Sequence, residues 1–158
     1  MSDPITPAGM AALKARYDHL FTTERPQMVE VVSWAAGNGD RSENGDYLYG
    51  RKRLREIDRE LAHLSKRMAN LQVVDPARQP DKSRTFFGAT VTVADEDDRQ
   101  QTLTLVGRDE ADAGEGRIAW NSPVAIALKG ARIGEVRRVR LPAGERELEV
   151  LTLTYPVS

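Results

Sequence analysis

The chain has 158 residues, 23 Lys and Arg against 24 Asp and Glu, and no cysteine. That length bounds it to one medium domain or two small ones, the formal charge of −1 gives no bulk demand for a nucleic-acid partner, and the lack of thiols excludes a disulfide framework and a thiolate metal site, in keeping with a reducing interior. No stretch approaches the roughly 18 apolar residues of a membrane span, and the opening "MSDPITPAGMAALKARYDHL" has neither an uninterrupted apolar run nor a small-residue cleavage pattern, so the sequence predicts no signal peptide, no membrane partner and a cytoplasmic protein.

In the first part of the chain Met10, Leu13, Tyr17 and Leu20, then Met28, Val31 and Ala35, recur at the spacing of one helix face. Thr6 followed by Pro7 suits a helix start, with a hydroxyl to cap free amides and proline in the first turn. Pro26 interrupts the run, and the step from Leu20 to Met28 is 4+4 rather than 3+4, which predicts a bend rather than a break. From Tyr47 the pattern tightens: Gly50, Leu54, Ile57, Leu61, Leu64, Met68 and Leu71 alternate by three and four, as in a coiled-coil seam. The two periodic runs are too close in sequence to be parallel neighbours, so an antiparallel hairpin is expected, closed at "GNGDRSENG". Folding about residue 41 or 42 sets Met28 near Leu54, Leu20 near Leu61 and Leu13 near Leu71. Thirty helical residues make an arm of roughly 45 Å.

Two readings fit the acidic tip of that hairpin. Asp40 and Glu43, three apart, suit oxygen coordination of Mg²⁺, but a pair of carboxylates is only part of a six-oxygen shell, so a partner would have to supply the rest. The same spacing also suits a capping box at the start of the second helix, with Asp40 as cap and Glu43 reaching back. Beyond the tip, Arg51, Arg55 and Arg59 follow at i, i+4 and i+8 with Lys52 and Arg53 beside them, a spacing that costs about 0.2–0.5 kcal/mol per like-charged pair. This basic ridge is either a docking surface for a phosphate backbone, such as RNA, or a solvated flank laced with ion pairs.

Residues 76–84, "PARQPDKSR", read as a polar linker. Thereafter "TFFGATVTVAD", "RQQTLTLVG", "EVRRVRLP" and "RELEVLTLTY" read as strands, and "NSPVAIALKG" as a short helix capped by Ser122 with Pro123 in its first turn. The predicted fold is therefore α+β: an antiparallel coiled-coil hairpin over 1–75, the linker, and a small α+β domain over 85–158. His19 and His63 have no ligand pattern around them, and Trp34 and Tyr47 are expected to pack near the end of the seam.

The run "ERPQMVEVVSWAAGNGDRSENGDYLYGRKRLREIDREL" resembles the hairpin of the Gre family of bacterial transcript-cleavage factors, and its "GDRSEN.DY.Y..KRLREIDR" looks like the GreB type rather than the GreA type. "FFGATVTV", "NSPVAIAL" and "LPAGERELEVLTLTY" extend the likeness over nearly the whole chain. A monomer is expected, and the resemblance implies that its coiled coil enters the secondary channel of bacterial RNA polymerase when the nascent RNA 3′ end has been extruded. There the acids corresponding to Asp40 and Glu43 help the polymerase hold a second Mg²⁺ and cleave the RNA. It further implies that the factor is an accessory rather than an enzyme, that the free protein holds no ion stably, and that an FKBP-like C-terminal domain grips the polymerase near Ser122 and Pro123. Ile126 stands where the family pattern has an arginine. An alternative of the same shape is a channel-binding regulator that does not stimulate cleavage; a prolyl isomerase rests on fold analogy alone.

Overall fold

A computed structural model of the chain describes residues 2–37 and 44–157. They divide into two compact units, one made of Met10–Leu71 and the other of Met1–Gly9 with Gln72–Ser158.

The Met10–Leu71 unit is helical. It holds most of α1 (Pro7–His19), a π turn (Leu20–Glu24), α2 (Arg25–Ala36) and α3 (Gly45–Ala69). Leu20, Ile57, Leu61 and Leu64 are buried together, with Leu13, Tyr17, Met28 and Met68 packed on them, so the three-and-four spacing read from the sequence is the seam. Leu20 and Ile57 are fully buried, each contributing about 1.5–3 kcal/mol. Ion pairs flank the seam: Arg16 with Glu60 at 2.7 Å and Arg25 with Asp58 at 2.8 Å run in opposite order along the two segments, and Arg53 Nε lies 2.6 Å from Glu24 Oε1.

The expected bend takes the form of the π turn. Pro26 has no N–H to give the carbonyl four residues back, and its ring would press on that turn. Widening the turn by one residue answers both, and the Arg25 N–H reaches back five residues to the Leu20 carbonyl. The extra residue is also what the 4+4 step from Leu20 to Met28 requires to keep both on the seam.

In the second unit the sheet order is β5-β4-β3-β7-β6, formed by β3 (Thr90–Ala94), β4 (Gln100–Val106), β5 (Arg117–Ala119), β6 (Val136–Leu141) and β7 (Gly144–Thr154). All neighbours are antiparallel except β4 and β5. Val91, Val93, Leu103, Leu105 and Val150 alternate onto one face and meet Ala125 and Leu128 of α4 (Pro123–Leu128). On the other face Thr90 and Thr104, and Thr92 and Thr102, bond across the strands at 2.9 and 3.0 Å. Tyr155 ties down the C-terminal end: its hydroxyl donates to the Arg84 carbonyl at 2.5 Å and accepts from the Phe86 N–H at 2.9 Å.

The expected boundaries need two corrections. The first residues group with the C-terminal unit, not with the helices: β1 (Asp3–Ile5) pairs with β2 (Leu71–Val73), Ile5 is fully buried, Arg108 pairs with Asp3, and the Thr6 N–H donates to Glu110 Oε2 at 3.1 Å. Residues 76–84 are likewise not a free connection. Pro76 is buried, opening a short 3₁₀ turn, and lies so close to Gly88 that a Cβ there would sit 2.3 Å from the proline ring.

Candidate functional site

The residues that bracket the connection between α2 and α3 are well defined. Asn44 is the N-cap of α3, its side-chain oxygen accepting from the Tyr47 N–H at 3.2 Å. Its amide nitrogen donates to the Ala35 carbonyl at 2.7 Å, tying the start of α3 to the end of α2. An asparagine is favoured in this role because its short side chain satisfies a free amide of the first turn. This helix begins at Gly45 with Asn44 as its cap, and the capping-box reading of Asp40 and Glu43 falls on residues that are not among those described. Asp40 and Glu43 themselves lie outside the described residues. Asp46 falls in the first turn of α3, where a carboxylate is favoured by the helix dipole.

Just inside this end the two helices approach closely. Gly50 is buried, and a Cβ on it would lie 2.6 Å from Val32 Cγ2. Glycine lets the backbones meet at the point where the ends are also pinned by Asn44.

The five basic residues predicted on α3 separate into two sets. Arg51, Lys52, Arg55 and Arg59 are exposed. Arg51 donates to the Tyr47 hydroxyl at 2.8 Å and lies over that ring at 5.7 Å, and Arg59 donates to the Arg55 carbonyl at 3.4 Å, so three guanidinium groups stand in succession along α3. Arg53 is different. It is half-buried and engaged by Glu24 and Glu56, and the hydrogen bond it donates to Glu24 raises its pKa above the ordinary arginine value. It acts as a clamp between the helices.

Around α4, Ser122 caps the helix, accepting from the Ala125 N–H at 3.3 Å, with the exposed Pro123 next in line. Ala125 and Leu128 point into the core while Ile126 is 61% exposed, so Ile126 is a surface residue and not part of the packing. A cavity of about 300 Å³ adjoins this helix, lined by Phe86, Phe87, Leu105, Trp120 and Ala125 with Gln79 and Lys129. Sequence reasoning misplaced Trp34, expected to pack near the end of the seam and in fact 64% exposed. The available signal was its position directly before the seam residue Ala35.

Among the described residues no group of three or more His, Asp or Glu is placed to hold a metal ion, and no helix is long and apolar enough to cross a membrane.

Comparison with known proteins agrees over both units. Residues 3–73 match the family described as "Transcription elongation factor, N-terminal", and residues 79–155 the one described as "Transcription elongation factor, GreA/GreB, C-term". The chain is 49% identical to the transcription elongation factor GreB of Neisseria meningitidis serogroup B over 96% of this chain and 93% of that one. It is 46% identical to GreB of Pseudomonas aeruginosa over 96% and 90%. Against GreA of Alkalilimnicola ehrlichii identity is 35% over 96% and 97%. With matches to both halves and higher identity to these GreB sequences than to this GreA, the chain belongs to the GreA/GreB family of transcription elongation factors and is of the GreB type.

Proposed function

We propose that the chain is a transcription elongation factor that acts on bacterial RNA polymerase, entering its secondary channel as an antiparallel coiled-coil hairpin and stimulating cleavage of backtracked RNA. The observation that carries this reading is the family match across both halves of the chain. The pairing of α3 with α1 and α2 supports it. At 25 residues α3 is about 37 Å long, and the ion pairs and seam stiffen it along its length. The acids Asp40 and Glu43 fall in the stretch between Gly37 and Asn44, that is, between the paired helices.

In this reading Asp40 and Glu43 are the catalytic and metal-facing residues. Two carboxylates fit part of an octahedral oxygen shell and no more, which suits an ion shared with the polymerase and not one held by the free protein. When bound, Mg²⁺ would polarise the attacking water and stabilise charge on the reacting phosphate. The chain's own residues do the positioning: Asn44 and Gly50 hold the helix ends together, while Arg51, Lys52, Arg55 and Arg59 attract the extruded RNA through its phosphates. Arg53 keeps the arm stiff. The second unit, an FKBP-like domain in this reading, grips the polymerase around Ser122 and Pro123, and Ile126 presents an apolar side chain beside that contact. The factor works as a cytoplasmic monomer, and the hydrolysis belongs to the polymerase.

The test is a stalled, backtracked elongation complex with labelled RNA, supplied with the parent or with D40A/E43A. Cleavage is expected with the parent and a loss of at least 100-fold in rate with the variant at saturating concentration, since metal-assisted charge stabilisation contributes several kcal/mol. Equal cleavage by both would refute the role of the two acids.

A further inference from the structure

The cavity beside α4 has in its wall a residue with an unanswered polar atom. Trp120 directly follows β5, and its backbone N–H is fixed by the Val106 carbonyl at 2.8 Å. Its indole Nε1 is buried, yet has no hydrogen-bond partner among the described residues. Buried side-chain donors are satisfied in the large majority of native structures, so this N–H calls for an acceptor. The facing wall is also aromatic. Phe86 and Phe87 sit on a tight turn, closed by the Ala89 N–H donating to the Phe86 carbonyl at 3.0 Å and made possible by Gly88 at φ +85°.

The lining is one-sided in charge. Lys129 is exposed and makes no ion pair among the described residues, Gln79 adds an amide, and no carboxylate lines the cavity. One cation and one free N–H match a single negative charge spread over accepting oxygens. A phosphate monoester, with a charge of about −1.5 to −2 near neutral pH, would be left under-compensated. The volume of about 300 Å³ is roughly twice that of a void known to take up benzene and stands at the small end of ligand sites. It has room for one or two fused rings.

We propose that this cavity binds a small aromatic carboxylate, its rings against Phe86, Phe87 and Trp120, its carboxylate accepting from Trp120 Nε1–H and facing the Lys129 ammonium. Offset and edge-to-face contact with three rings favours an aromatic body over an aliphatic one, and a donor bonded to an ionised acceptor makes the stronger kind of hydrogen bond. The site is independent of the proposed transcript cleavage and adds a ligand to it.

The test is titration of the ¹⁵N-labelled full chain with 2-naphthoate, with the neutral 2-naphthalenemethanol and with adenosine monophosphate. The indole N–H resonances of Trp34 and Trp120 are followed by NMR and assigned with W34F. The expected result is a shift of the Trp120 resonance alone, with a Kd of about 0.1–1 mM for 2-naphthoate and binding at least about 5-fold weaker for the other two probes. K129M, at an exposed position, should keep the parent's fold, weaken 2-naphthoate about 3-fold and flatten the salt dependence. W120F, read from the Phe86 and Phe87 backbone amides, should weaken it about 10-fold, because the ring remains while the donor is lost. A Trp120 resonance that stays still up to about 10 mM 2-naphthoate, tighter binding of the alcohol or the nucleotide, or parent-like affinity in both variants would each overturn the proposal and leave the elongation-factor reading intact.

Discussion

Replacing Gly50 by alanine sets two known terms against each other. Past the first turn of α3 alanine is favoured over glycine by about 1 kcal/mol, because it restricts the unfolded chain and shields the backbone. The new Cβ, however, would lie 2.6 Å from Val32 Cγ2 and 3.6 Å from Val31 Cγ1, with the Val32 backbone N at 3.7 Å. Only the first of these is a clash, and relieving it means a retreat of roughly 0.8 Å by a valine methyl, which is stiff in a helix because one χ1 rotamer dominates there. The alternatives are an unfavourable rotamer or separation of α2 from α3, and overpacking of this kind costs about 1–3 kcal/mol. The net expectation is destabilisation of about 0–2 kcal/mol for G50A. The companion V32A loses part of a half-buried side chain and is itself mildly destabilising, but it removes the obstacle. In the double variant G50A/V32A the two changes should therefore be less than additive, with a coupling of about 1–2 kcal/mol in favour of the pair. Urea unfolding followed by far-UV circular dichroism at 222 nm reports the helical unit, and the four proteins of the cycle give the coupling directly. If G50A alone is stabilised by about 1 kcal/mol and the cycle is additive, the close approach of α2 and α3 at this point is wrong.

Two further outcomes follow from the charged residues. R51A/R55A should slow cleavage of complexes with long extruded RNA more than those with dinucleotide-length ends, because each lost cation removes a phosphate contact only where phosphate lies beside it; equal losses at both lengths would exclude RNA tracking along α3. Glu60 accepts from Arg16 and its pKa is lowered from 4.5, chiefly by that hydrogen bond. A lowered folded-state value means that the pair's contribution is complete above the unfolded pKa and is lost as pH falls through the folded one. With both side chains substantially exposed, the contribution is about 0.2–1 kcal/mol. The stability gap between the parent and E60Q should accordingly be steady near neutral pH and close below about pH 4.5, read from unfolding midpoints across that range; a gap that persists at pH 3 would assign the effect to packing of the Glu60 stem.

The seam was legible because periodicity is a local signal repeated many times: Leu20, Ile57, Leu61 and Leu64 each restate the same face, and the 4+4 step together with Pro26 announced that one residue too many had to be accommodated. Four main strands and the Ser122–Pro123 helix start were legible for a similar reason, through alternation and capping chemistry. What escaped was structure made by distant partners. A three-residue strand such as Asp3–Ile5 has no period to read, and its anchors Arg108 and Glu110 lie more than a hundred residues away. Three-residue β5 is equally silent, since its pairing with β4 is parallel and rests on a long-range register.

The site divides along the same line. That α3 carries a basic run was plain from the sequence, but which of its cations are available depends on where each stands relative to the seam. Arg53 meets Glu24 across the seam and is neutralised by it, whereas Arg51, one position past Gly50, faces outward onto Tyr47. The same offset, taken one position before the seam, exposes Trp34 and Tyr49. Once the buried residues are known, position relative to the seam decides what each side chain can meet. The cap of α3 had no such guide: Asn44 was not singled out in the sequence, and only the observed start of α3 at Gly45 identifies it.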